Sequence, residues 1–261
     1  MSFARAFFTD LRRRIFSPGF AVMTLIAAAS YFISCAEELK FVWNSDSCDI
    51  LYLHMIAYDL GFLSTLAVLC CTALNCTSFL NDYQSSFFRG CILRSGKRRY
   101  TAAEFLSCVV TGGLILALGL VIFVLILRLR FPLANPDGGV VESAQHSETF
   151  KGKIISEGHY VGWFASMALL SFLYGGMWSA VGICVSAFVP DKYAASFSPF
   201  IIMRLTELFL KGNFKFDNIF SGYFNVGSIA ECLLFATAYM GTVTAVLGII
   251  FCIKAQRRCS Q

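Results

Sequence analysis

Residues 105–130, FLSCVVTGGLILALGLVIFVLILRLR, decide the fold. The stretch carries no charge before Arg128 and, at 1.5 Å per residue, is long enough to cross a hydrocarbon core of ~30 Å as a helix. A barrel strand would instead be a segment of ~10 residues with alternating polarity. Outward from this block, apolar runs recur at roughly 20–36, 55–80, 159–188, 194–210 and 226–253. The composition agrees: 57% of the 261 residues are apolar, 27 are phenylalanine, and only 14% are charged, against roughly 25% in an ordinary soluble domain. With a mean hydropathy of +0.68, the chain has too little polar surface for a soluble enzyme, a disordered chain or an outer-membrane barrel. The expected fold class is an all-α integral membrane protein: one six-span transmembrane domain over 20–261, preceded by an amphipathic interfacial helix over 1–19.

The basic residues give the orientation. Arg5, Arg12, Arg13 and Arg14 precede the first span; Arg89, Arg94, Lys97, Arg98 and Arg99 lie between spans two and three; Lys192 lies between four and five; Lys254, Arg257 and Arg258 follow the sixth. Thirteen of the 21 Lys and Arg residues therefore share one face, where the only acids are Asp10, Asp82, Glu104 and Asp191. The positive-inside rule makes that face, and both termini, cytoplasmic. The fifth run is the weakest, being short and carrying Pro199, Arg204 and Glu207, and a re-entrant segment is its alternative. Counting it as a span keeps the basic tail on the basic face.

Most of the eleven cysteines fall within spans or on the reducing side, where a thiol is a small packing residue. Cys35 and Cys48 alone flank the first outer loop, and the sequence leaves open whether they bridge. Arg12 to Arg14 followed by an apolar run and Phe32-Ile33-Ser34-Cys35 is a poor match to a lipoprotein signal, so no cleaved leader is expected. His54, His146 and His159 are dispersed, no Cys-x-x-Cys occurs, and no metal site is expected.

Two segments carry a pattern beyond spanning. From Ser2 to Phe16, Phe3, Phe7, Phe8, Leu11 and Ile15 recur at helical spacing with arginines between them, which suits a helix in the inner headgroup layer before Ser17-Pro18-Gly19 turns the chain. Between spans two and three, the cytoplasmic segment 81–104 begins with an amphipathic stretch, Asp82 to Leu93. A glycine turn and a basic cluster follow, Arg94-Ser95-Gly96-Lys97-Arg98-Arg99-Tyr100. In a helix Tyr83, Phe87 and Phe88 fall near one face, with Asp82 and Arg89 offset from it. The alternative for both segments is a polybasic flank that serves orientation alone.

Taken together, these features resemble the permeases of type-2 ABC exporters: an interfacial helix, six spans with both ends inside, an amphipathic second cytoplasmic segment ending in Arg-Ser-Gly-Lys-Arg-Arg-Tyr, and a glycine-bearing third span closing on Phe131-Pro132-Leu133. The resemblance implies that residues within 82–100 (Asp82, Tyr83, Phe87, Phe88, Arg89 and Arg94) couple to ABC ATPase subunits, and that the N-terminal helix is the connecting helix. It also implies a second permease copy or homologue. The chain has no Gly-x-x-x-x-Gly-Lys-Ser/Thr loop, so ATP and Mg belong to the partner ATPase and no cofactor is expected on this chain.

Charges inside spans invite a functional reading, since each costs about 2.5 to 3.5 kcal/mol at mid-membrane on insertion scales. Asp59, Arg204, Glu207 and Glu231 map to the outer third. They line an outward vestibule, or Arg204 pairs with Glu207 or Glu231. Small residues recur at Gly112, Gly113 and Gly119, at Gly175, Gly176, Ser179 and Gly182, and at Gly241, Ala245 and Gly248, where helices in lipid approach closely. The outer loop 132–158 reads as a flexible cap. The expected function is a permease subunit in a bacterial inner membrane that exports a peptide, lipid-like or hydrophobic substrate, contacting membrane lipid and no nucleic acid. A non-transporting immunity or sensor protein shares the composition. An intramembrane enzyme lacks a convergent catalytic set, Glu37-Glu38 having no partner of the required kind.

Overall fold

Ser17 and Pro18 make the first corner of the chain. In the computed structural model, which describes residues 2–43, 48–59, 62–84, 90, 92, 96–135, 147–189 and 191–258, Ser17 Oγ accepts a hydrogen bond from the Phe20 amide at 3.2 Å, and Pro18 occupies the first turn. This cap lets helix α1 (Phe3–Ile15) end and helix α2 (Pro18–Ser34) start at 61° to it. The remaining helices are α3 (Ala36–Val42), α4 (Ile50–Asp59), α5 (Leu63–Ala73), α6 (Ser78–Gln84), α7 (Lys97–Arg128), α8 (Phe150–Ser156), α9 (Tyr160–Ser186), α10 (Lys192–Phe209), α11 (Phe216–Ser221) and α12 (Ile229–Arg258), with a 3-10 turn at Gly212–Phe214. No strand occurs among the described residues.

Among the described residues four stretches are long and apolar enough to cross a membrane: Leu63–Asp82, α7, α9 and α12. A fifth is formed by α2 only when it is joined through the 61° bend to α1. Six spans are expected; length and apolar content mark four or five of them among the described residues. The fifth predicted run, α10, is not among them, because Lys192, Arg204 and Glu207 dilute its apolar content. The predicted run 55–80 is not one helix either; it is divided among α4, α5 and α6.

α7 is the central element, touching α1, α2, α5, α9 and α12. Its closest approach is to α9: a Cβ on Gly113 would lie 2.6 Å from the Phe172 carbonyl oxygen, and one on Gly175 would lie 2.5 Å from the carbonyl oxygen of Gly112. Around the start of α7, Phe79, Phe105, Cys108, Ile183, Phe251 and Ala255 form one core. A larger core contains Tyr31, Phe123, Trp163, Tyr174, Trp178 and Phe220. The outside is apolar as well: Leu125, Leu129, Val161, Leu208, Leu234 and Ile249 are all exposed. Long helices wearing leucine and isoleucine on their outer faces are those of a multi-pass membrane protein.

The described ends of the loop 132–158 are docked on neighbouring chain. Residues 136–146 lie outside the described residues, but Phe150 and Lys151 donate their amides to the Phe224 and Gly222 carbonyls at 2.8 and 3.2 Å, which docks α8 on the chain before α12. At the other end Asp49 accepts from the Asn135 amide at 2.7 Å. Cys35 and Cys48 are free thiols.

Candidate functional site

The three consecutive arginines of α1 point in different directions, because successive residues on a helix are rotated by about 100°. Arg12 is exposed, Arg13 is half-exposed and Arg14 is 6% exposed. Asp10 sits three and four residues earlier, one turn back on the same face. It takes Arg13 Nη2 at 2.8 Å and Arg14 Nε at 2.9 Å.

From there the cluster reaches three other helices. Arg14 pairs with Glu104 near the start of α7, whose side chain is 1% exposed. It also donates to Ser78 of α6 and, at 3.5 Å, to Asn75. Ser78 donates to the same Glu104 oxygen at 2.7 Å, and Ser107 donates to Asp10. Arg13 reaches Asp82 at 3.1 Å, and the Tyr100 hydroxyl donates to that carboxylate, also at 3.1 Å. Beneath the charges a neutral relay continues inward. Thr111 donates to Asn75 at 3.0 Å, Asn75 to Ser179 of α9 at 3.2 Å, and Ser179 to the Cys71 carbonyl at 2.7 Å.

Two arginines therefore face three carboxylates in a mostly dry setting. Burial pushes Asp10 upward, but Arg14, Ser107 and Arg13 together hold it below the usual carboxylate range. Burial opposes charge on Arg13 and Arg14 too, yet their acid neighbours raise both further above the ordinary arginine value. A pair of this kind is strongly coupled: either partner removed alone strands the other's charge away from water. Chemically the arrangement is a tie between α1 and the bundle.

Among the predicted coupling residues, Asp82 belongs to this tie. The side chain of Tyr83, near the end of α6, and all of Phe87, Phe88, Arg89 and Arg94 lie outside the described residues. Arg14 and Glu104, the centre of the cluster, were not singled out from sequence. A signal was present: three of the four acids on the basic face, Asp10, Asp82 and Glu104, are the ones the arginines take.

At the far end, Asp59, Arg204 and Glu207 do meet, around a cavity of about 320 Å³ that Lys215, Asp217 and Tyr223 also line. Arg204 pairs with Glu207 at 2.8 Å, with 49% of its side chain exposed, and donates to Thr65 at 2.6 Å. Asp59 accepts from Tyr223 at 2.8 Å, and Tyr223 accepts from Lys151 at 2.6 Å. Glu231 does not join them. It accepts from the Ser228 amide at 2.7 Å while Ser228 Oγ accepts from its amide at 3.3 Å, a capping box that starts α12.

Asp217, which accepts from Tyr174 at 2.9 Å, is raised to about 6 by burial and by its hydrogen bond with the Glu207 carboxyl. A raised carboxyl binds its proton more tightly when folded, so this contribution to stability is complete below about pH 4 and is lost as pH rises through about 6. Thermal unfolding should therefore show greater stability at about pH 5 than at about pH 7, and Asp217→Asn should reduce the difference. Equal pH dependence in the variant would show that the proton is not held there. Compared with protein-family models, with characterised proteins and with solved structures, the chain finds no match.

Proposed function

We propose that this chain is the transmembrane permease subunit of an ATP-driven exporter of the ABC class, powered by separate ATPase subunits and moving a peptide, lipid-like or hydrophobic substrate outward across a bacterial inner membrane. In this reading the end of the bundle bearing α1 and the start of α7 faces the cytoplasm, and α2, α5–α6, α7, α9, α10 and α12 are the six spans. The observation that carries it is the ionic tie. Arg13 holds Asp82, just before the 85–96 segment, while Tyr100 and Glu104, just after that segment, bond to Asp82 and Arg14. A partner that displaces this segment moves α1, α6 and α7 together, which is what transmission of force from an ATPase to the spans requires. The outward face of α12, where Gly241 and Ala245 are exposed, offers a close approach for a second permease copy.

The test is on the segment itself. Phe87→Ala with Phe88→Ala should leave the protein inserted and monodisperse, yet weaken copurification of the ATPase and abolish substrate-stimulated hydrolysis, since aromatic anchors at a docking contact each cost more than about 1 kcal/mol on truncation. Neutralising Lys97, Arg98 and Arg99 should disturb orientation first. Normal ATPase binding and transport in the double alanine variant would remove the coupling role and with it the main support for an exporter.

A further inference from the structure

The outer side of α1 carries charge that the ionic tie does not use. Arg5, Phe8, Thr9, Arg12, Arg13 and Phe16 line an open groove of about 550 Å³. Phe8 is 64% and Phe16 79% exposed, and the Arg12 guanidinium lies 5.9 Å from the Phe16 ring centre. Arg5 and Arg12 have no carboxylate partner among the described residues. Arg13 belongs to both sides of the helix: it lines the groove, and it holds Asp10 and Asp82.

Three guanidinium groups beside exposed aromatic rings fit one ligand chemistry best, a phosphate joined to acyl chains. The arginines take the phosphate oxygens with forked hydrogen bonds, while Phe8 and Phe16 lie against the chains. A free phosphate leaves the rings unused. The 61° bend at Ser17 lays α1 across the bundle instead of along it, at the depth where headgroups sit if this end meets the anionic inner leaflet. Arg14 is committed inward and buried, so α1 stays attached whatever happens in the groove.

We infer that an anionic phospholipid headgroup binds between Arg5, Arg12 and Arg13 and competes with Asp82 for the Arg13 guanidinium, so that lipid loosens the tie at the start of the 85–96 segment. The inference deepens the permease reading and shares its orientation, but it does not depend on the ATPase. Because the two acids compete for one cation, the effect is reciprocal: weakening Asp82 must strengthen lipid binding.

The test is a titration of the full chain in neutral detergent with phosphatidylglycerol, with phosphatidylcholine and inorganic phosphate as separate arms, read by native mass spectrometry. Phosphatidylglycerol should bind saturably and more tightly than either. Arg5→Gln with Arg12→Gln, both at exposed positions outside the tie, should weaken it on the order of tenfold. Arg13→Gln should weaken it, whereas Asp82→Asn should tighten it severalfold. A general loss of fold would weaken both of these last variants, so opposite signs identify the competition. Phosphatidylglycerol affinity unchanged in the double variant, or unchanged in Asp82→Asn, would overturn the proposal. So would equal binding of inorganic phosphate, which makes the groove a soluble-anion site, or a double variant that loses the ATPase while keeping the lipid, which makes it a protein contact. Failure of the wild-type chain to copurify with an ATPase would count against the permease reading and leave this one standing.

Discussion

Arg14→Ala should be the most damaging single truncation in the chain, lowering stability by roughly 3 to 5 kcal/mol, the usual cost of breaking a buried ion pair from one side. The reason lies in what it leaves behind. Glu104 is 1% exposed and has Arg14 as its cation, with Ser78 on the same oxygen; its Oε2 has no partner among the described residues. Asp10 keeps Arg13 and Ser107 but loses the guanidinium one turn away. Arg14→Lys should not rescue, because an ammonium group cannot reach Asp10, Ser78 and Glu104 with a planar fork. Arg14→Met combined with Glu104→Met should recover much of the loss, since an apolar pair of similar volume needs no counter-charge. Two controls set the scale. Arg12→Ala, at an exposed position, and Arg204→Ala, where the arginine is about half exposed, should each cost no more than about 1 kcal/mol. Unfolding in detergent, followed by tryptophan emission from buried Trp163 and Trp178, gives the ranking. If Arg14→Ala matched Arg12→Ala, the cluster would be hydrated and α1 would not be tied to the bundle.

The coarse fold is legible because burial in a membrane is a matter of length and polarity, which a sequence states directly. Residues 97–128, 160–186 and 229–258 are helices where long apolar runs stand. The boundaries that failed did so for local reasons. Apolar content alone cannot distinguish a continuous span at 55–80 from three short helices, since α4 and α5 are both largely apolar. Glu231 stands by position among the span charges, but Ser228 three residues earlier makes it a cap. In the sequence Arg12-Arg13-Arg14 stands as one basic patch, which conceals the tie. Its three members are exposed, half-exposed and buried respectively, and only the offset of Asp10 by three and four residues, with a lone Glu104 in an otherwise uncharged run, marks the inward one. What pairs across sixty or ninety positions, Asp82 with Arg13 and Glu104 with Arg14, depends on how α1 folds back over α7, and no local pattern carries that.

Gly175→Ala should be nearly as costly as the loss of Arg14, with the opposite physical cause. The added methyl would meet the Gly112 carbonyl oxygen at 2.5 Å, the Gly112 carbonyl carbon at 3.1 Å and Leu116 Cδ1 at 3.1 Å. Leu116 can turn aside; a backbone carbonyl in the middle of α7 cannot. The two helices must separate, which opens gaps along a seam that also includes Gly113 against Phe172 and strains the Asn75–Ser179 hydrogen bond beside it. Overpacking of this kind costs about 1 to 3 kcal/mol or more when only backbone can yield. Gly241→Ala tests the same chemistry with the sign reversed. A Cβ there meets nothing within 4 Å, so in the isolated chain alanine should be neutral or should stabilise α12 by up to about 0.5 to 1 kcal/mol. If α12 is the face of a second copy, Gly241→Ala should leave monomer stability intact and lower the dimer fraction in cross-linking. Equal stability losses at 175 and 241 would mean that helix spacing is set elsewhere and that the α7–α9 contact is not the tight one.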